Sequence, residues 1–74
     1  MELTVVVHEE GPGYWSEVRE LPGCFASART LEELREALEE AVAFCVEDGP
    51  VELEHRRLRA GEQRLRARPG AVGI

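Results

Sequence analysis

The stretch Glu20 to Glu47, reading ELPGCFASARTLEELREALEEAVAFCVE, leaves the chain few folds to choose from: a tight turn, a short strand of small residues, then a capped amphipathic helix. The apolar residues Leu31, Leu34, Leu38, Ala41, Val42 and Cys45 recur at three- and four-residue spacings and so line one face of a 3.6-residue period. Glu32, Glu36, Glu39, Glu40 and Glu47 fall on the other side. Thr30 followed by Glu33 has the capping-box spacing, in which each side chain satisfies an unpaired backbone N–H of the first turn. Gly49 and Pro50 signal the end. Arg35 is within reach of Glu32 or Glu39, a contact worth about 0.3 kcal/mol. Burial of the leucine stripe therefore has to supply most of the stability, and the stripe needs a surface to cover.

The other segments read as strands for that purpose. Leu3 to Glu9 is rich in β-branched residues and sets Leu3, Val5 and Val7 on one face against Thr4, Val6 and His8 on the other. Glu10-Gly11-Pro12-Gly13 is a turn by composition. Tyr14 to Arg19 then returns as a second strand, Tyr14, Ser16 and Val18 alternating with Trp15, Glu17 and Arg19. After Leu21-Pro22-Gly23, Cys24 to Ala28 is a third strand whose Cys24, Ala26 and Ala28 are small enough to let a helix sit close. With the helix on that face, Trp15 and Phe25 point to the opposite one, where no second helix covers them. They are expected at a subunit interface, the alternative being that the C-terminal segment folds across them.

Beyond Pro50, Val51 to Leu58 alternates weakly and reads as a strand returning beside the sheet, with Arg64 to Ala67 pairing to it after the Ala60-Gly61-Glu62 turn. A helix over Glu52 to Arg66 competes, because Glu, Arg, Leu and Ala are good helix formers. Residues 68–74 read as a loose end. The expected fold class is α+β: a single βββαβ domain over residues 1–74, its antiparallel sheet covered on one face by one helix. Its core spans about 3–48, and 51–74 forms an arginine-rich strand or tail.

At 74 residues a single core is marginal without oligomerisation, a metal or disulfides, so a homo-oligomer, dimer or tetramer, is expected. No secretory signal and no apolar run near the roughly 20 residues that cross a bilayer are visible, which leads to the expectation of a cytoplasmic protein without membrane contact. Cys24 and Cys45 read as two reduced core thiols, and His8 and His55 do not make a metal spacing with them. Residues 1–50 carry net −9 and residues 51–74 net +3, within a formal −6. The basic residues are all arginine, and Arg56, Arg57, Arg59, Arg64, Arg66 and Arg68 cluster. Such a cluster is either a nucleic-acid footprint or a counter-charge for the protein's own acidic helix. The second is favoured, since the chain is acidic and the cluster has no aromatic residues for base stacking.

No reaction chemistry emerges. Gly11-Pro12-Gly13 lacks the following helix and the lysine of a phosphate loop, and Ser16 and Ser27 lack the flanking glycines of a nucleophile elbow. Glu9, Glu10, Glu17 and Glu20 near the first hairpin read as solvated carboxylates rather than a cation site. No enzyme, catalytic residue, cofactor or metal is expected.

The pattern strand, turn, Tyr14 … Glu20-Leu21-Pro22-Gly23-Cys24 … Thr30-Leu31-Glu32-Glu33-Leu34 … Ala37 … Ala41 resembles the HicB-like family of small bacterial and archaeal proteins, over about residues 3 to 48. The chain has Ala28-Arg29 where the family usually has a glycine before the capping threonine, and no helix-turn-helix is evident after Glu47. The resemblance implies a partial ribonuclease-H-like fold assembled as dimers or higher oligomers. Family members with assigned roles are antitoxins that bind and block a small mRNA-cleaving HicA toxin. For this chain it implies a toxin-antitoxin role in which Glu32, Glu36, Glu39 and Glu40 cover a small basic HicA-like toxin and Trp15 and Phe25 join subunits. A nucleic-acid-binding protein acting through the arginines, or an orphan self-associating domain, are the alternatives.

Overall fold

A computed structural model describes residues 1–47 and 49–70. Strand β1 (Glu2–Glu10) and strand β2 (Gly13–Val18) form the first hairpin, with Val5 opposite Val18 and His8 opposite Trp15. The chain reverses at Gly11, whose φ of 60° is left-handed and suits a residue without Cβ. Strand β3 (Phe25–Ala28) pairs antiparallel with β2, Ser16 opposite Ala26. Helix α1 (Leu31–Val46) follows, and Thr30 caps it as its sequence signals: the Oγ1 accepts from Glu33 N–H at 3.1 Å. Leu34, Leu38 and Val42 are fully buried against the sheet.

After α1 two strands follow where the βββαβ order has one: β4 (Val51–Leu53) and β5 (Gly61–Pro69), which pair antiparallel as the reading of Val51 to Leu58 with Arg64 to Ala67 expects, although β4 is only three residues long. The order is β3-β2-β1-β5-β4 in a five-stranded antiparallel sheet. The last strand lies inside the sheet: β5 pairs with β1, Leu65 opposite Leu3, and with β4, Ala67 opposite Leu53. The helix that competed over Glu52 to Arg66 does not form. Gln63, Leu65 and Ala67 are buried while Arg64, Arg66 and Arg68 are exposed, a period of two that suits β1's open ladder and not a helix. Arg68 and Pro69, expected in a loose end, belong to β5; residues 71–74 lie outside the described residues.

The core therefore extends past residue 48. Leu53, Leu58, Leu65 and Ala67 join Leu3, Val5 and Val7 of β1 and the buried face of α1 in one cluster. The helix also stops earlier than its glycine. Glu47 takes the left-handed conformation at φ 53°, and its N–H donates to Ala43 O at 3.1 Å. Cys45, assigned to the buried stripe, is exposed, whereas Cys24 is buried. The inward arc of α1 is centred on Leu34, Leu38 and Val42, with Leu31, Ala41 and Val46 partly buried at its margins and Cys45 outside it.

Candidate functional site

Three groups of side chains were singled out as functional candidates, and the fold distributes them over different surfaces. On α1, Glu32, Glu36 and Glu40 are exposed at four-residue spacing, and none has an ion-pair partner among the described residues. Like charges so spaced repel along a helix, and only Glu32, in the first turn, gains from the positive end of the helix dipole.

Glu39 departs from that row. Its Oε2 accepts from Leu53 N–H at 2.9 Å and faces Arg35 Nη1 at 3.5 Å. Arg35 in turn donates to Leu53 O at 2.5 Å and to Glu54 O at 3.3 Å. Together the two side chains clasp β4 to α1, so Glu39 is committed inside the chain and not to a free acidic face. Spacing along the helix suggested the Arg35–Glu39 pair, but the strand that both also hold is remote in sequence.

The arginines separate into paired and unpaired sets. Arg64 faces Glu2 at 3.3 Å, Arg56 faces Glu54 at 3.7 Å, and Arg68 donates to the carboxylate of Glu52. Arg19 and Glu62 close a further pair at 3.1 Å. The Arg68 guanidinium holds the Glu52 carboxyl below the usual carboxylate range, mainly through its hydrogen bond. Arg57, Arg59 and Arg66 have no ion-pair partner among the described residues. The arginines of β5 meet carboxylates on neighbouring strands, Glu2 and Glu52, more than the acidic row of α1.

Trp15 and Phe25 share the sheet face opposite α1, as their alternation predicts. Among the described residues the C-terminal segment does not fold across them; β5 and β4 extend the sheet on its far side. Trp15 stacks on His8 with ring centroids 4.1 Å apart and meets Phe25 at 6.3 Å. Glu17 lies 3.6 Å from His8 Nε2, beyond hydrogen-bond length. Phe25 remains 59% exposed. Phe44, on the outer side of α1 and outside the apolar stripe, is 84% exposed.

Two further carboxylate and thiol environments bear on chemistry. Glu20, read as solvated, accepts from Thr4 N–H and from Thr4 Oγ1, each at 2.7 Å, and this pulls its carboxyl below the usual range. Burial, followed by its contact with Cys45, pushes the Cys24 thiol up to about 12, which keeps it protonated and unreactive at neutral pH. Among the described residues no group of His, Cys, Asp or Glu side chains converges to hold a metal ion. No helix among them is long and apolar enough to cross a membrane. Compared with models of protein families, with curated proteins and with solved structures, the chain matches none of them.

Proposed function

We infer that the protein is a small interaction module of the HicB-like antitoxin kind, which blocks a small basic mRNA-cleaving toxin by laying the acidic row of α1 over the toxin's RNA-binding face. The observation that carries this reading is the row itself: Glu32, Glu36 and Glu40, exposed, evenly spaced and unpaired among the described residues. A basic partner relieves their mutual repulsion and gains association rate from complementary charge. The meander β1-β2-β3 followed by a Thr-capped helix supports the partial ribonuclease-H-like part of the reading. The insertion of β5 between β1 and β4 is an addition to the expected order.

The test is capture from the source cell with the tagged protein and with a Glu32→Gln, Glu36→Gln, Glu40→Gln variant, at low and high salt. The expected result is a basic protein of under roughly 100 residues that cleaves mRNA and is inhibited by the wild type, its capture weakened by salt and by the variant. Capture insensitive to both would remove the acidic-row mechanism. Capture of no ribonuclease would remove the antitoxin role. Nucleic-acid binding through the arginines is the weaker reading, because Arg56, Arg64 and Arg68 are engaged with carboxylates of their own chain.

A further inference from the structure

The two edges of the sheet are treated differently. At the β4 edge, Leu53 turns its backbone groups away from β5, and α1 covers both of them, Glu39 taking the N–H and Arg35 the carbonyl. Pro50 precedes that strand and its length is three residues, two further ways of discouraging pairing. The β3 edge has none of these. Its sequence Phe25-Ala26-Ser27-Ala28 contains no charge, no proline and no bulge. Val18 N–H donates to Cys24 O at 3.3 Å. By alternation, Ala26 and Ala28 therefore also turn their backbone groups toward β2, while Phe25 and Ser27 turn theirs outward, to an unoccupied edge.

We propose that β3 is the self-association edge of this protein: a second copy pairs its own β3 antiparallel to it about a two-fold axis at Ala26, and the two helices meet side by side over the junction. The proposal deepens the self-association expected of such a module; its groove shares only Glu40 with the acidic row, so a second copy seated there leaves Glu32 and Glu36 to a toxin. The register follows from the alternation. A two-fold axis normal to the sheet keeps each face on its own side, so Ala26 lies opposite Ala26 of the second copy and Phe25 opposite its Ser27. That is the arrangement in which the outward N–H and C=O groups of Phe25 and Ser27 all find partners.

The helix side agrees with the same axis. Ala26 of β3 and Ala37, Ala41 and Phe44 of α1 line one groove along this edge, so the axis through Ala26 also passes beside Ala41. Two antiparallel helices meeting there set Phe44 of each copy against the small Ala37–Ala41 strip of the other. Four strand residues alone are too little, since a stable interface takes about 800 Å² from each partner. The edge becomes sufficient when Phe25 on one face and Phe44 on the other are covered with it. A second copy is the fitting occupant because the strip is nearly uncharged on a chain of net −6. Glu40, the end of the acidic row, is the one ionised side chain in the groove, so a basic partner held by Glu32 and Glu36 finds little more to grip here, while an identical strand and an identical pair of aromatics match it.

Sedimentation equilibrium on the wild type, Phe44→Glu, Ser27→Pro and Trp15→Glu tests the proposal, with circular dichroism to confirm each fold and amide exchange read at Phe25 and Ser27. The expected result is a species of twice the 8.3 kDa chain mass, not weakened by salt, whose formation protects those two amides. Phe44→Glu, at a side chain already exposed, is expected to raise the dissociation constant about 30-fold or more. Ser27→Pro, which removes only an outward N–H, should weaken it in the same direction. A monomeric wild type at 100-fold dilution steps up to about millimolar concentration overturns the proposal. So does a dimer that Trp15→Glu dissolves while Phe44→Glu and Ser27→Pro leave it intact, since that places the interface on the open face and spares the broader self-association reading.

Discussion

Glu20 shows how much one exposed carboxylate can do at the residue scale. β2 ends at Val18, and the Glu20 side chain continues its ladder by accepting from both the backbone and the hydroxyl of Thr4. Because these bonds favour the charged form, its folded-state pKa lies below the ordinary value of 4.5. The stability it contributes is fully present above that ordinary value and is lost as pH falls through the lower folded-state one. Glu20→Gln is expected to cost about 1 kcal/mol near neutrality, the carboxylate being open to competing water. It should also flatten the acid limb of urea-midpoint measurements made from pH 6 down to pH 3. Gln63, 5% exposed, is the inward counterpart. Its amide donates to Arg59 O at 2.6 Å and Gly61 O at 3.1 Å and accepts from Arg59 N–H at 3.1 Å, closing the loop before β5. Gln63→Ala strands those groups and should destabilise by about 1–3 kcal/mol in the same denaturation assay.

At the scale of the element, α1 is a helix whose start was written locally and whose end was not. Thr30 behaves as its spacing predicts, accepting from the Glu33 N–H, whereas the Glu33 carboxylate accepts from the Thr30 hydroxyl at 3.3 Å and not from its backbone N–H. The end falls on Glu47, a non-glycine in the left-handed region, two residues ahead of Gly49. Glu47→Gly relieves that conformation and should raise stability by about 0.5–1 kcal/mol, measurable as an upward shift in thermal midpoint. In the middle of the element, Leu38 is fully buried beneath the sheet. Leu38→Ala leaves a cavity and is expected to cost about 2–5 kcal/mol, a large share of the total for a domain this small.

The whole molecule depends on β5 more than on any other C-terminal feature. It fills the place between β1 and β4 and supplies Gln63, Leu65 and Ala67 to the interior. A chain ending at Pro50 keeps the meander and the helix yet leaves β1 with an open edge and an uncovered apolar face. Such a chain is expected to lose cooperative folding, seen as the absence of a sigmoidal urea transition and collapse of amide shift dispersion. β5 also joins the acidic first fifty residues to the basic remainder through Arg64 with Glu2, while Arg68 with Glu52 is a pair within the remainder.

Local chemistry was enough to define the first hairpin, the faces of β1, β2 and β3, the cap of α1 and the outward aim of Trp15 and Phe25, since each rests on periodicity or on neighbours a few residues apart. The exposed row Glu32, Glu36, Glu40 was legible for the same reason, and the commitment of Glu39 was not. Its partners sit on β4, and only the closed fold brings Leu53 to the helix. The place of β5 was decided by tertiary structure too. Gln63-Arg64-Leu65-Arg66-Ala67 is as good a helix by propensity as a strand, and β1's unpaired edge settles which it becomes by offering a full ladder of hydrogen bonds and a core for every second residue. The fate of Phe44 and Cys45 follows the same rule: which arc of α1 meets the sheet is set by the closed fold, which buries Leu34, Leu38 and Val42 and leaves Phe44 and Cys45 exposed.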